Sequence, residues 1–216
     1  MSEPSTAAAL GDLLAGYRRF RASHYDRKRA QWRRLAEGQS PRATIIACCD
    51  SRADPATIFD ADPGEIFVVR NVANLVPPFE SDGGRHGVSA ALEFSVTQLN
   101  VREVVVMGHE RCGGIAAALT GQFSNAPAGE GGFVSSWMQQ IEGPAKEIAA
   151  SHGTGDDAAR VLEEVGIRQS LANLRTFPFI AEREAAGKLS ILGCHFSIAE
   201  GQLYLLDEAE DSFRPV

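Results

Sequence analysis

Two short segments hold residue types that can do chemistry together: Cys48-Cys49-Asp50-Ser51-Arg52 and His109-Glu110-Arg111-Cys112-Gly113-Gly114. Two thiolates and one imidazole form a recognised zinc set, with a fourth position left for water or a carboxylate. The softness of that set favours zinc over magnesium or calcium, which take oxygen ligands. Side chains alternate along an extended strand, so Cys48 and Asp50 face one way and Cys49 the other. If the extended geometry continues, Arg52 joins the first face. Cys48 then reads as the ligand and Cys49 as a bystander, a small buried thiol. Cys112 falls where a helix through Gly113–Thr120 would begin, and exposed N–H groups and the helix dipole favour a thiolate there. On residue types alone, a catalytic zinc site is the favoured reading. A closed structural site with Cys194 as fourth ligand, its neighbour His195 then facing away, stays open, and so does a metal-free group of buried cysteines and a core histidine.

The two segments need elements to bring them together. Strand candidates are Thr44–Cys49, Ile66–Arg70, Glu103–Met107, Leu189–His195 and Leu203–Leu206. The run Val104-Val105-Val106-Met107 is apolar on both faces, as a strand covered on both sides should be. Val88, Ala91, Leu92, Ser95, Val96 and Leu99 mark a helix between strands, and Val161, Leu162, Val165, Leu171 and Leu174 mark another. Strands alternating with helices predict an α/β fold with a mainly parallel central sheet flanked by helices. The last two strands, separated by Ile198–Gln202, predict an antiparallel hairpin at one edge. Gly121–Gly132 reads as a loop. Each chemical segment follows a strand, and the carboxyl ends of strands in an open parallel sheet are where ligands bind.

Upstream, Leu10, Leu13, Leu14, Tyr17 and Phe20 recur at helical spacing, so about residues 7–36 read as one or two amphipathic helices after a frayed start. The domain organisation expected is a helical arm over 1–38 and an α/β catalytic domain over 39–216. The arm is rich in arginine (Arg18, Arg19, Arg21, Arg27, Arg29, Arg33 and Arg34), which reads as a solvated face rather than a nucleic-acid patch. The 216 residues include 21 basic against 28 acidic side chains, a net charge of −7. That balance argues against a protein that coats nucleic acid by neutralising phosphates. No apolar run reaches the roughly 20 residues that span a bilayer, and the first residues lack the basic and apolar regions of a signal peptide. Four cysteines without such a signal point to a reducing compartment, with the cytosol as the expected location.

The pair CxDSR and HxxCGG resembles the β-class carbonic anhydrases. So does the connecting stretch from Asp62 to Pro78, DPGEIFVVRNVANLVPP. The similarity runs from about Gln39 to Leu119 and resumes more weakly near Gly193–Leu203. It implies reversible hydration of carbon dioxide to bicarbonate and a proton, with one zinc ion per subunit held by Cys48, His109 and Cys112. Zinc lowers the pKa of a bound water from about 15.7 to about 7. Asp50 and Arg52 match the family's Asp–Arg dyad: Asp50 orients the attacking oxygen, and the fork of Arg52 aims Asp50 away from the metal. Freed from Arg52, Asp50 becomes the fourth zinc ligand in a closed, inactive state. Gln39 matches a glutamine that contacts substrate oxygen. Phe67 matches an aromatic lining the site, often across a dimer, and the N–H of Gly113 is placed to donate to bicarbonate. Phe94 stands where plant-like members carry a tyrosine.

Members regulated by bicarbonate use a tryptophan, an arginine and a tyrosine at a second pocket. Those positions here are Ile45, Arg70 and Phe196, so the resemblance implies the plant-like, open-site subtype. It further implies a homodimer or higher homo-oligomer, with the arm packed on a partner. Two other functions fit the same scaffold: a silent zinc protein acting through oligomerisation, and a hydrolase of carbon disulfide or carbonyl sulfide. The proton shuttle is not identified among His24, His86, His152 and His195.

Overall fold

A computed structural model describes residues 10–216, so the frayed start expected for residues 1–6 lies outside the described residues. The chain divides into two compact units, Met1–Gln39 and Ser40–Val216. In the first, helix α1 (Gly11–Phe20) runs into a π-helical turn at Arg21–Tyr25, and α2 (Arg29–Leu35) follows. The Phe20 ring meets Trp32 edge-on at 5.6 Å, and Tyr25 stacks on Trp32 at 6.2 Å. Leu13 and Tyr17 remain exposed on α1.

The second unit is built on six strands: β1 (Ala43–Cys48), β2 (Ile66–Asn71), β3 (Glu103–His109), β4 (Ser190–Ser197), β5 (Gln202–Asp207) and β6 (Ser212–Pro215). Their spatial order is β2-β1-β3-β4-β5-β6. The first four are parallel, and β5 and β6 run antiparallel at one edge. The parallel core and the β4–β5 hairpin agree with the sequence reading. Strand β6 does not appear in that reading, because it is four residues long and ends on Pro215, which has no N–H to give a ladder.

Helices supply the cover: α3 (Pro55–Ile58), α4 (Gly87–Glu93), α5 (Gly113–Thr120), α6 (Gly132–Met138), α7 (Glu142–His152), α8 (Asp156–Leu174) and α9 (Pro178–Ala185). The segment expected as one helix over Val88–Leu99 is α4 continued by a π-helical turn at Phe94–Gln98. Asp54 caps α3 by accepting the Thr57 N–H at 2.9 Å. Gly121, in the left-handed conformation, stops α5 and opens the expected loop.

Helix α8 matters most for the site. Asp156 and Asp157 occupy its first turn, where its dipole favours negative charge. It packs Ile167, Leu171 and Leu174 against one face of the sheet beside Ile46, Val104 and Val106, and Leu162 in the neighbouring cluster with Cys48 and Cys112. Val161, taken as part of that apolar stripe, is instead exposed. Contact with the sheet is close: a Cβ at Gly108 would meet Ile167 Cδ1 at 2.7 Å. The other face of the sheet holds a smaller cluster of Ala43, Ile45, Ala47, Met107 and Cys194.

Candidate metal centre

Alternation along β1 sends Cys48 toward α8, opposite to Ala47. His109 is the last residue of the neighbouring parallel strand β3. Past it, Glu110 N–H donates to the Phe196 carbonyl at 2.9 Å, which ties the chain to β4. Arg111 then adopts a left-handed backbone, φ 55°, and Cys112 caps the start of α5. Gly114 lets α5 come close, since a Cβ there would meet Val72 Cγ1 at 2.7 Å.

Cys48, His109 and Cys112 are all buried, with ligand atoms within 4.8 Å of one another. The two sulfurs stand 3.8 Å apart. Zinc–sulfur bonds of about 2.3 Å at a tetrahedral angle give a sulfur–sulfur edge of about 3.8 Å, so the pair is spaced for one ion. The His109 Nδ1–H donates to its neighbour's carbonyl, Glu110 O, at 2.9 Å. That fixes the tautomer and leaves the Nε2 lone pair facing the thiols. Nε2 is buried and has no well-formed hydrogen bond among the described residues, although Cys48 lies close enough to act on it. A buried ring nitrogen with its lone pair free, beside two sulfurs, is the donor set that a zinc ion completes.

Electrostatics agree. The Cys48 thiol is pushed down, first by its contact with Cys112 and then, against burial, by His109 and the N–H groups of Asp50 and Ala73. The same contact pushes Cys112 up. Thiols must lose their protons to ligate a metal, so a cation bound here would displace protons from the pair.

Asp50 lies beside this group, its Oδ2 4.0 Å from His109 Nε2. Arg52 holds both of its oxygens, Nε to Oδ1 at 2.9 Å and Nη2 to Oδ2 at 2.7 Å. Arg52 N–H also donates to Oδ1 at 2.9 Å, and its Nη2 reaches the Arg111 carbonyl at 3.1 Å. These contacts, the Arg52 side chain first, hold the Asp50 carboxyl well below the usual carboxylate range. The expected route to the pair was different. The strand ends at Cys48, and the chain turns at Asp50–Arg52, so Arg52 arrives through a turn and not by extended alternation.

Arg70 on β2 fastens this turn from behind. Its guanidinium donates to the carbonyls of Cys48 at 2.9 Å and Asp50 at 2.6 Å and pairs with Asp54 at 3.1 Å.

The other expected residues are more scattered. Gly113 is exposed next to Cys112, with open space where a side chain would be. Phe67 pairs in register with Thr44, four residues before Cys48 on β1. At about 3.3 Å per residue it stands roughly 13 Å from the cysteine along the sheet, and its ring meets Phe94 at 6.1 Å. Gln39 is exposed at the end of the N-terminal unit. Cys49 is exposed. Cys194 lies on the opposite face, its thiol pushed up to about 12 by burial, so a closed site with Cys194 as fourth ligand does not form. With Cys194 on the opposite face, alternation turns its neighbour His195 toward the side of the Cys-His-Cys group, where it meets Glu163 of α8 at 2.9 Å. Glu163 escaped the sequence reading.

The carbonic anhydrase family model matches residues 43–203. Beta carbonic anhydrase 3 of Arabidopsis thaliana is 35% identical over 197 residues, 89% of this chain and 75% of that protein. The chain belongs to the β-carbonic anhydrase family. Among solved β-carbonic anhydrases, the structure of CcaA superposes with a TM-score of 0.87 at 30% identity, over 96% of this chain and 100% of that one. One of two tetrameric β-carbonic anhydrases from Sordaria macrospora gives 0.69 at 28% identity, over 93% and 95%. The matched residues include all three members of the buried Cys-His-Cys group and the Asp50–Arg52 turn, and exclude the N-terminal unit.

Proposed function

We infer that this β-carbonic anhydrase catalyses the reversible hydration of carbon dioxide, a zinc-dependent lyase reaction. The observation that carries the reading is the buried Cys48–His109–Cys112 group with an ionised, doubly held Asp50 at its side. Cys48, His109 and Cys112 would hold one zinc ion per subunit. When bound, zinc makes a water acidic enough to supply an attacking base near neutral pH.

The chain's own residues do the rest. Asp50, an acceptor only, takes a hydrogen bond from the attacking oxygen and turns a lone pair toward the carbon of carbon dioxide. Arg52 keeps both Asp50 oxygens occupied, so the carboxylate stays off the cation; its release gives the closed state with Asp50 as ligand. The N–H of Gly113, in the first turn of α5, is open to receive a bicarbonate oxygen. Gln39 is assigned to substrate oxygen on family position. Phe67 stands too far along β2 to line this group from the same chain, which fits its assignment to the site of a partner.

A homodimer or larger homo-oligomer is part of this reading. The tetrameric Sordaria relatives support it, and the exposed Leu13 and Tyr17 give the arm an apolar stripe to bury. No helix among the described residues is long and apolar enough to cross a membrane, and a cytosolic location is proposed from the free thiols. Stopped-flow hydration of carbon dioxide with a pH indicator tests the activity. Hydration should be fast, vanish on chelation and return with zinc; a zinc-loaded protein without hydration activity would refute the reading.

A further inference from the structure

Beneath the Cys112 ligand lies a chain of buried polar groups that the reaction as described does not use. Glu163, on the buried side of α8, is 3% exposed, and His195, on β4, is 0% exposed. Glu163 Oε1 accepts the Cys112 main-chain N–H at 3.1 Å, and its Oε2 meets His195 Nε2 at 2.9 Å. On the far side of the ring, His195 Nδ1 meets Arg160 Nη1 at 2.8 Å. Arg160 is fixed in turn by Glu164, at 2.8 Å from its Nε, and lies over the Tyr204 ring at 5.2 Å.

The direction of every bond in this chain is forced. A guanidinium only donates, so His195 Nδ1 must accept and the ring hydrogen must sit on Nε2. Nε2–H then donates to Glu163, and the Cys112 amide donates to the other oxygen of the same carboxylate. Two hydrogens, from the Cys112 amide and from His195 Nε2, point at Glu163. A side chain that accepts on both oxygens has no freedom to turn. A carboxylate this deeply buried would be expensive without partners, and its position between a ligand's main chain and a locked histidine indicates what it does.

We propose that Glu163, oriented by His195 and Arg160, is a positioning residue that fixes the main chain of Cys112 and so holds its sulfur at the spacing the zinc ion requires. This rests on the zinc reading above. It adds a support on the side of the ligand set away from Asp50, reached through α8 and β4 and not through either ligand segment. Outer groups of this kind typically account for about 10–100-fold in metal affinity.

The test is zinc release into a chromogenic chelator, with the melting temperature of the metal-free protein measured alongside. Glu163→Gln keeps the shape but turns an amide NH2 toward one of two donors, either the Cys112 N–H or the His195 Nε2–H. His195 cannot change tautomer to relieve this, because Arg160 occupies Nδ1. E163Q should therefore release zinc about 10–100-fold faster, while its metal-free form melts within a few degrees of the parent. His195→Gln offers an amide oxygen to Arg160 and an NH2 to Glu163, and should release zinc within a few-fold of the parent. In the cobalt-loaded protein, E163Q should alter the visible bands and H195Q should not. The proposal is overturned if E163Q holds zinc like the parent, or if its faster release is matched by a large fall in the metal-free melting temperature. A parent protein that takes up no zinc would instead refute the metal site itself, and the support with it.

Discussion

Arg52 grips Asp50 by two parallel bonds, Nε to Oδ1 at 2.9 Å and Nη2 to Oδ2 at 2.7 Å, and spends its remaining contact on the Arg111 carbonyl next to Cys112. One guanidinium thus ties the turn after β1 to the segment that carries the other two ligands. A planar fork matches a carboxylate in a way that an ammonium does not.

Removing the carboxylate separates orientation from metal binding. Asp50→Ala should lower hydration by roughly 10²–10⁴-fold, the range for a positioned acid–base group, with zinc still bound at one per subunit. Metal analysis beside stopped-flow rates checks this; a fully active, zinc-loaded D50A would contradict the role.

Removing the fork should close the site. In Arg52→Ala, Asp50 is free to turn toward the cation, so hydration should fall and the cobalt-loaded protein should show the bands of a fourth carboxylate ligand. Arg52→Lys keeps the charge and loses the bidentate match, and should fall between the two. Unchanged cobalt bands in R52A would show that Arg52 does not restrain Asp50.

All three nitrogens of Arg70 are engaged within the chain, on the Cys48 and Asp50 carbonyls and on Asp54. Ile45 is buried among apolar neighbours, and Phe196 carries no hydroxyl. Hydration measured against rising bicarbonate should therefore show simple product inhibition. A sigmoidal, cooperative loss of activity would count against the open-site subtype.

Away from the site, Arg175 bonds Glu184 at 2.9 Å and Glu208 at 2.8 Å. The Arg175 contact comes first among the causes that hold the Glu208 carboxyl below its ordinary value, with burial opposing it. A depressed folded pKa adds stability above the unfolded value of about 4.3, and that stability is lost as pH falls through the lower folded value. Arg175→Ala should lower the melting temperature at pH 7 more than at pH 3, by a small amount because the pair is partly solvated. An equal fall at both pH values would contradict the linkage.

The three residues of the buried Cys-His-Cys group are legible in the sequence because they lie in short, distinctive segments at strand ends. The parallel core was legible because its strands are apolar runs set off by helical periodicity. Helices α6 and α7 were not read, since Gly132, Gly143 and Pro144 interrupt any periodic stripe in that region. Arg52 was placed beside Asp50 by an extended geometry that the chain abandons at Cys48. Glu163 was hidden inside a helix read only for its apolar side. Its signal is present all the same: a carboxylate on the stripe formed by Leu162, Gly166, Ile167 and Ser170 is a charge that needs buried partners, and His195 is one of four histidines without an assigned role.

Because Cys48 closes β1 and His109 closes β3, the cage for the cation exists only when those strands lie in one alignment, Ala43 beside Glu103 through Ala47 beside Met107. A slip of one residue would turn the cysteine to the opposite side of the sheet and empty the cage. On the proposed zinc reading, metal occupancy therefore doubles as a gauge of correct strand alignment.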